Sequence, residues 1–276
     1  MMTEKEYQDC IRLLRQRRPL IHCITNGVSL NDCANILLAA GAKPVMAEAP
    51  EESAEITAQS DGLVLNIGML TQSKLQAMLR SAEAAKQHGL PVLLDPVGVG
   101  ASAFRRQAVA EILATGAVTV IRGNLSEISA LASLDADTVS ATDTPVGGLQ
   151  PANVPGASAP GQAAAAAAAH YGCTAAVTGE TDWVSDGKQS FPLHGGSPLL
   201  TRVTATGCMT SALIGAFLAV MPDKAALSAA CGIQMMNRAG EYAAKKAGCK
   251  LGSFHTALFD AISLAGIQNA EGVLLL

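Results

Sequence analysis

Short apolar runs alternate with amphipathic stretches through the first two-thirds of the chain. Leu63-Val64-Leu65-Asn66-Ile67-Gly68 is a near-continuous apolar run closing on a glycine turn, the pattern of a buried strand. From Gln72 to His88, Leu75, Met78, Leu79, Ala82 and Ala85 recur at three–four spacing, which predicts a helix stopped by Gly89. Pro91 to Val97 predicts a second strand, residues 104–114 a second helix, and Val118 to Asn124 a third strand. Pro145 to Gly161 is rich in Pro, Gly, Ala and Ser and predicts an exposed loop, followed by a helix built on the alanines of 163–169. Ala175 to Gly179 predicts a further strand. Trp183 to Lys188, an Asp186-Gly187 turn and Gln189 to Leu193 predict a hairpin. From Met209 onward the pattern is almost entirely helical. Unbroken apolar strands joined by helices imply α/β architecture, with a mainly parallel sheet covered on both faces. A single domain over residues 1–276 is expected, because neither flank of the Pro/Gly-rich loop is self-sufficient.

Composition narrows the class. The chain has 276 residues, 49% hydrophobic and only 3% aromatic, so its core is Ala, Leu, Val and Ile. The net charge of −4 and the lack of a basic run argue against nucleic-acid partners. No apolar stretch reaches the roughly 18–20 residues of a membrane span, and the charged N-terminus has no signal-peptide core. Seven cysteines without a CxxC pair argue against disulfides or a zinc site and for a reducing cytoplasm.

In a parallel sheet, ligands bind beyond the carboxyl ends of the strands. Those ends are polar here: Asn66, Asp95, then Arg122 with Asn124 and Glu127, and Thr178 with Gly179. Thr204-Ala205-Thr206-Gly207-Cys208-Met209-Thr210-Ser211 adds small polar residues ahead of an apolar helical pattern, the build of an anion site at a helix N-terminus. Carboxylates facing an anion site make sense with Mg²⁺ between them, which points to phosphoryl transfer. Each feature also has a structural reading. Asp95 suits a loop cap, Asn124 and Glu127 suit a capping box, and Cys208 suits a core thiol. Neither a Walker-type loop nor a dinucleotide fingerprint is present.

Asn124-Leu125-Ser126-Glu127 resembles the N-x-x-E motif of ribokinase-like kinases, and Thr206-Gly207-Cys208 resembles their anion-hole segment. More narrowly, the chain is similar to the hydroxyethylthiazole kinases of thiamine biosynthesis and salvage. The likeness is carried by His22-Cys23-Ile24-Thr25-Asn26, Ala42 to Ala47, Leu94 to Gly100, Ile121 to Glu127, and Val177 to Asp182. It implies a three-layer α/β/α ribokinase-like fold and ATP-dependent phosphorylation of 4-methyl-5-(2-hydroxyethyl)thiazole. It further implies that Arg122, Asn124 and Thr178 bind ATP and that Asp95 and Glu127 hold Mg²⁺. Met46, Asn26 and Ala205 would contact the thiazole, Thr206, Gly207 and Cys208 would form the anion hole, and Cys208 would be the catalytic residue. Homotrimers with active sites between subunits are implied in the same way. Ala205 stands where the family usually has a substrate-contacting glycine. Three rival readings remain at this point: a kinase for another alcohol such as hydroxymethylpyrimidine, a cysteine hydrolase pairing Cys208 with His22, and a non-catalytic binder.

Overall fold

The computed structural model describes residues 2–131, 134 and 159–267. Its elements run α1 (Glu4–Arg17), β1 (Leu20–Ile24), α2 (Leu30–Ala40), β2 (Lys43–Val45), α3 (Ser53–Ala58), β3 (Gly62–Asn66), α4 (Gln72–Gln87), β4 (Val92–Asp95), α5 (Ala103–Ala114), β5 (Val118–Asn124) and α6 (Leu125–Leu131). After the undescribed stretch come α7 (Pro160–Tyr171), β6 (Thr174–Thr178), β7 (Asp182–Ser185), β8 (Ser190–Leu193), α8 (Thr206–Val220), α9 (Ala225–Ala247) and α10 (Leu251–Leu264). One sheet of order β2-β1-β3-β4-β5-β6-β7-β8 forms the middle layer. The six strands from β2 to β6 pair in parallel, and the β7–β8 hairpin adds on in antiparallel fashion.

Strand residues alternate between two cores. Val64, Leu93, Val120 and Ala176 pack with α1, α2, α8, α9 and α10. Leu63, Leu65, Val92, Leu94, Ile121, Ala175 and Val177 pack with α4, α5, α6 and α7 on the other face. Burial on both faces explains the unbroken apolar runs, and the architecture is the expected three-layer α/β/α sandwich.

The helix opened by the 204–211 run differs from a surface helix. Every residue of α8 from Met209 to Leu218 is buried, so it is the central helix of its layer rather than an amphipathic one. It lies across β1, β3 and β4. A Cβ on Gly215 would come within 2.3 Å of Val64 Cγ2, so only glycine permits that approach.

Several boundaries differ from expectation. The strand expected over 63–68 stops at Asn66, and the one over 91–97 stops at Asp95, just before Pro96. Ala159 caps α7 and Pro160 and Gly161 belong to it, with the proline in its first turn, while residues 145–158 of the expected loop lie outside the described residues. Trp183 packs on that same turn: a Cβ on Gly161 would meet its ring at 2.6 Å. The Asp186-Gly187 turn forms as expected, with Asp186 Oδ1 accepting from the N–H groups of Lys188 (2.9 Å) and Gln189 (2.7 Å).

Candidate functional site

The carboxyl ends of the parallel strands form one polar edge. Register sets Asn66 beside Asp95 and Asn124 beside Thr178. Asp95 is fully buried, and its Oδ2 accepts from Ser211 Oγ (2.7 Å) and Asn66 Nδ2 (3.1 Å). Arg122 Nη1 lies 3.6 Å from the same oxygen. Asp95 Oδ1 is also buried and has no hydrogen-bond partner. Burial pushes the Asp95 carboxyl above its usual range; Arg122, Ser211 and Asn66 pull against that without cancelling it.

Glu127 stands in the first turn of α6. Its Oε2 accepts from the backbone N–H of Asn124 (2.8 Å), while Asn124 Oδ1 accepts from the N–H of Glu127 (2.8 Å). The capping-box reading of this pair is therefore realised. Glu127 Oε1 also reaches the N–H of Gly98, beyond β4, at 2.9 Å. Burial raises this carboxyl, and the negative charge of Asp95 raises it further. The edge thus holds a buried and a half-buried carboxyl that repel one another.

Arg122 spans from these acids to β6. Its Nη2 donates to Thr178 Oγ1. A Cβ on Gly207 would sit 2.9 Å from its Nη1, so the guanidinium lies over the first turn of α8. That turn starts at Thr206 with no side-chain cap, since Ala205 is the N-cap. The first helical acceptor, Ala205 O, is taken by Met209 N at 2.8 Å, which leaves the N–H groups of Thr206, Gly207 and Cys208 outside the α8 ladder. Ala205 has φ 69°, a left-handed conformation favoured for glycine. Ala205→Gly is therefore expected to stabilise the ligand-free protein by about 1 kcal/mol. Thermal unfolding reads this directly; an unchanged or lowered Tm contradicts it.

Cys208 Sγ accepts from Asn66 Nδ2 (3.2 Å) and Asn26 Nδ2 (3.5 Å). Burial, with the charge of Asp95, raises the thiol above its ordinary value, so it stays protonated near neutrality. Asn26 and Asn66 form the hinge of this network, joined Nδ2 to Oδ1 at 3.0 Å. Gly68 must be small beside them, because a Cβ there would stand 2.7 Å from Asn26 Nδ2.

His22 is no partner for the thiol. It is fully buried on β1 with Nδ1 2.8 Å from Thr57 Oγ1 and Nε2 2.7 Å from the carbonyl of Ala47. Met46, half-buried, follows the short edge strand β2 at the same end of the sheet, one strand beyond Asn26. The structure therefore brings Asn26, Asp95, Arg122, Asn124, Glu127, Thr178, Ala205, Thr206, Gly207 and Cys208 to one edge, with Met46 at its far end. Asn66 and Ser211, which tie Asp95 in place, had no role assigned from the sequence. Their position at a strand end and on the 204–211 run was the available signal.

Comparison with known proteins gives the family. Residues 11–267 match the model of the hydroxyethylthiazole kinase family. The chain belongs to that family. It is 43% identical to the hydroxyethylthiazole kinase of Ruminiclostridium cellulolyticum over 264 residues, covering 94% of this chain and 92% of that protein. A solved hydroxyethylthiazole kinase from Pyrococcus horikoshii OT3 superposes with a TM-score of 0.80 at 38% identity, covering 94% and 93% of the two chains. A ribokinase-like superfamily protein from Enterococcus faecalis V583, at 15% identity and TM-score 0.56 over 95% and 90% of the chains, shares the fold alone. This family member is thus an ATP-dependent phosphotransferase on a ribokinase-like fold. Among the described residues, no helix is long and apolar enough to cross a membrane.

Proposed function

We propose that this chain transfers the γ-phosphoryl group of ATP to the primary hydroxyl of 4-methyl-5-(2-hydroxyethyl)thiazole, in thiamine biosynthesis or salvage. The observation that carries the reading is the uncapped head of α8 set against Arg122 and the Asp95–Glu127 pair, within a family that bears that name.

The donor set fits Mg²⁺. Asp95 Oδ1 is a buried carboxylate oxygen without a partner, and two raised, mutually repelling carboxyls favour a cation beside them. Magnesium accepts one or two carboxylates together with phosphate oxygens and water. Asp95 and Glu127 would hold it, and when bound it would neutralise charge on the phosphates. Arg122 and Thr178 bind the phosphates of ATP, and Asn124 flanks them. Asn26, Met46 and Ala205 line the acceptor pocket.

Phosphoryl transfer passes through a loose transition state with charge on the equatorial oxygens, so positioning and electrostatics dominate. The N–H groups of Thr206, Gly207 and Cys208, at the positive end of α8, receive that charge. In a loose transition state the alcohol gives up its proton late, which suits a protonated thiol poorly as a base but well as a positioning group. Cys208→Ala is therefore expected to keep kcat within about tenfold of wild type. Steady-state kinetics check this; a loss of about a hundredfold or more makes the thiol an essential base.

The exposed apolar side chains of Val28 (60%) and Met69 (57%) flank the Asn26 end of the site, which supports completion of the site by a neighbouring copy in a homotrimer. A solution mass of three chains by light scattering is the expected result, and a monomer mass overturns it. Seven free thiols support a reducing, cytoplasmic setting. Phosphorus NMR of the reaction tests the activity itself: a new phosphate monoester of the thiazole alcohol, formed with ADP and abolished by chelation of divalent metal, is expected. ATP left intact beside the alcohol and Mg²⁺ contradicts it.

A further inference from the structure

Lys74 is a buried lysine that the reaction scheme leaves without a task. It is only 8% exposed and lies in the first turn of α4. Both circumstances disfavour it: burial opposes the ammonium charge, and the N-terminus of a helix is the positive end of its dipole. Two contacts compensate. Lys74 Nζ donates to the carbonyl of Thr25 at 2.8 Å and pairs with Glu48 Oε2 at 3.0 Å. Thr25 immediately precedes Asn26, and Glu48 stands two residues after Met46. One ammonium thus bridges the two chain segments that carry the acceptor-pocket residues.

The Met46 side of that bridge has further anchors. His22 Nε2 lies 2.7 Å from the Ala47 carbonyl, and Arg80 Nη1, on the same helix as Lys74, donates to the Pro50 carbonyl at 2.7 Å. The strand feeding this segment, β2, is three residues long and lies at the sheet edge, so it holds its successor weakly. Of the three anchors, Lys74 is the one whose ammonium also grips the backbone before Asn26.

We infer that Lys74 is a positioning residue of the acceptor pocket, setting the separation between the Asn26 and Met46 walls and hence the affinity for the thiazole alcohol. The inference rests on the assignment of those two residues to that pocket. It places the effect of Lys74 on the acceptor side, because the ATP-side residues Arg122 and Thr178 are fixed by β5, β6 and α8.

The test is steady-state kinetics with both substrates varied, on wild type, Lys74→Met, Lys74→Arg, Glu48→Gln and Arg80→Met, alongside thermal unfolding. Wild-type turnover of the thiazole alcohol comes first, and its absence overturns both the proposed function and this inference. With wild type active, Lys74→Met is expected to raise the KM for the alcohol roughly tenfold or more, the loss of a charge-assisted hydrogen bond, while the KM for ATP stays within about twofold. Lys74→Arg is expected to recover part of that loss, and Arg80→Met to cost less than Lys74→Met. Glu48→Gln, at the exposed end of the pair, is expected to move the same KM in the same direction by a smaller factor, and it decides the question if Lys74→Met fails to fold. An unchanged KM for the alcohol in both Lys74→Met and Glu48→Gln overturns the inference. Equal rises in both KM values also overturn it, because they mark a merely structural role.

Discussion

Asp95→Asn is expected to lower kcat by roughly three orders of magnitude, the several kcal/mol that stabilisation of transferring phosphoryl charge supplies. The substitution keeps the shape of the side chain and an oxygen that can accept from Ser211, so the fold is retained. It removes the charge that would make the unpartnered Oδ1 a cation ligand, and the partner that sets Arg122. The KM for the alcohol should move little, since Asp95 lies on β4 while Asn26 and Met46 of the proposed acceptor pocket follow β1 and β2. Kinetics paired with a melting curve separate the two effects. A variant with near-wild-type kcat contradicts the assignment of Asp95.

Arg122→Met is expected to injure both stability and activity. It leaves the fully buried Asp95 without its cation, and breaking a buried ion pair from one side costs about 3 kcal/mol or more. In a chain of this size that lowers Tm by about 6 °C or more. The deficit has a predictable pH dependence. Arg122 holds the Asp95 pKa down, so its removal raises that pKa further above the unfolded value. A carboxyl shifted upward by folding weakens the fold above its folded pKa and stops doing so once protonated. The deficit should therefore shrink as the pH is lowered through that raised range. On the activity side, loss of the guanidinium over the head of α8 should cost roughly a hundredfold in kcat and raise the KM for ATP. Arg122→Lys should restore little activity, because an ammonium cannot reach Thr178 and Asp95 with one planar fork. A deficit that grows on acidification, or full activity in the methionine variant, contradicts this account.

What the sequence made legible follows from physics. β5 and α4 are recovered to within a residue, because a strand buried on both faces is unbroken apolar and a helix with one buried face repeats at three–four spacing. β1 and β2 were not foreseen. His22 interrupts the apolar run of the first, and the second is only three residues long and opens on Lys43-Pro44. The acids and the anion segment of the site stood out since they close strands or open a helix. Their mutual arrangement did not, because strand register sets Asn66 beside Asp95, and register is a tertiary property. Glu127 shows the same boundary: its capping geometry and its place beside Asp95 coexist, and no spacing rule separates them. Lys74 is harder still. A lysine on an amphipathic helix reads as solvated, and only packing reveals it buried between Thr25 and Glu48. Ala205 was legible as a departure from glycine, and its positive φ gives that departure a physical cost.

The most direct measurement is kcat/KM with ATP and Mg²⁺ for three acceptors under one set of conditions: the thiazole alcohol, a hydroxymethylpyrimidine and a pentose. The account predicts the thiazole alcohol to be preferred over each of the others by at least about a hundredfold, the range that contacts in one pocket can supply. Turnover of the pyrimidine or the pentose with the higher kcat/KM would contradict it.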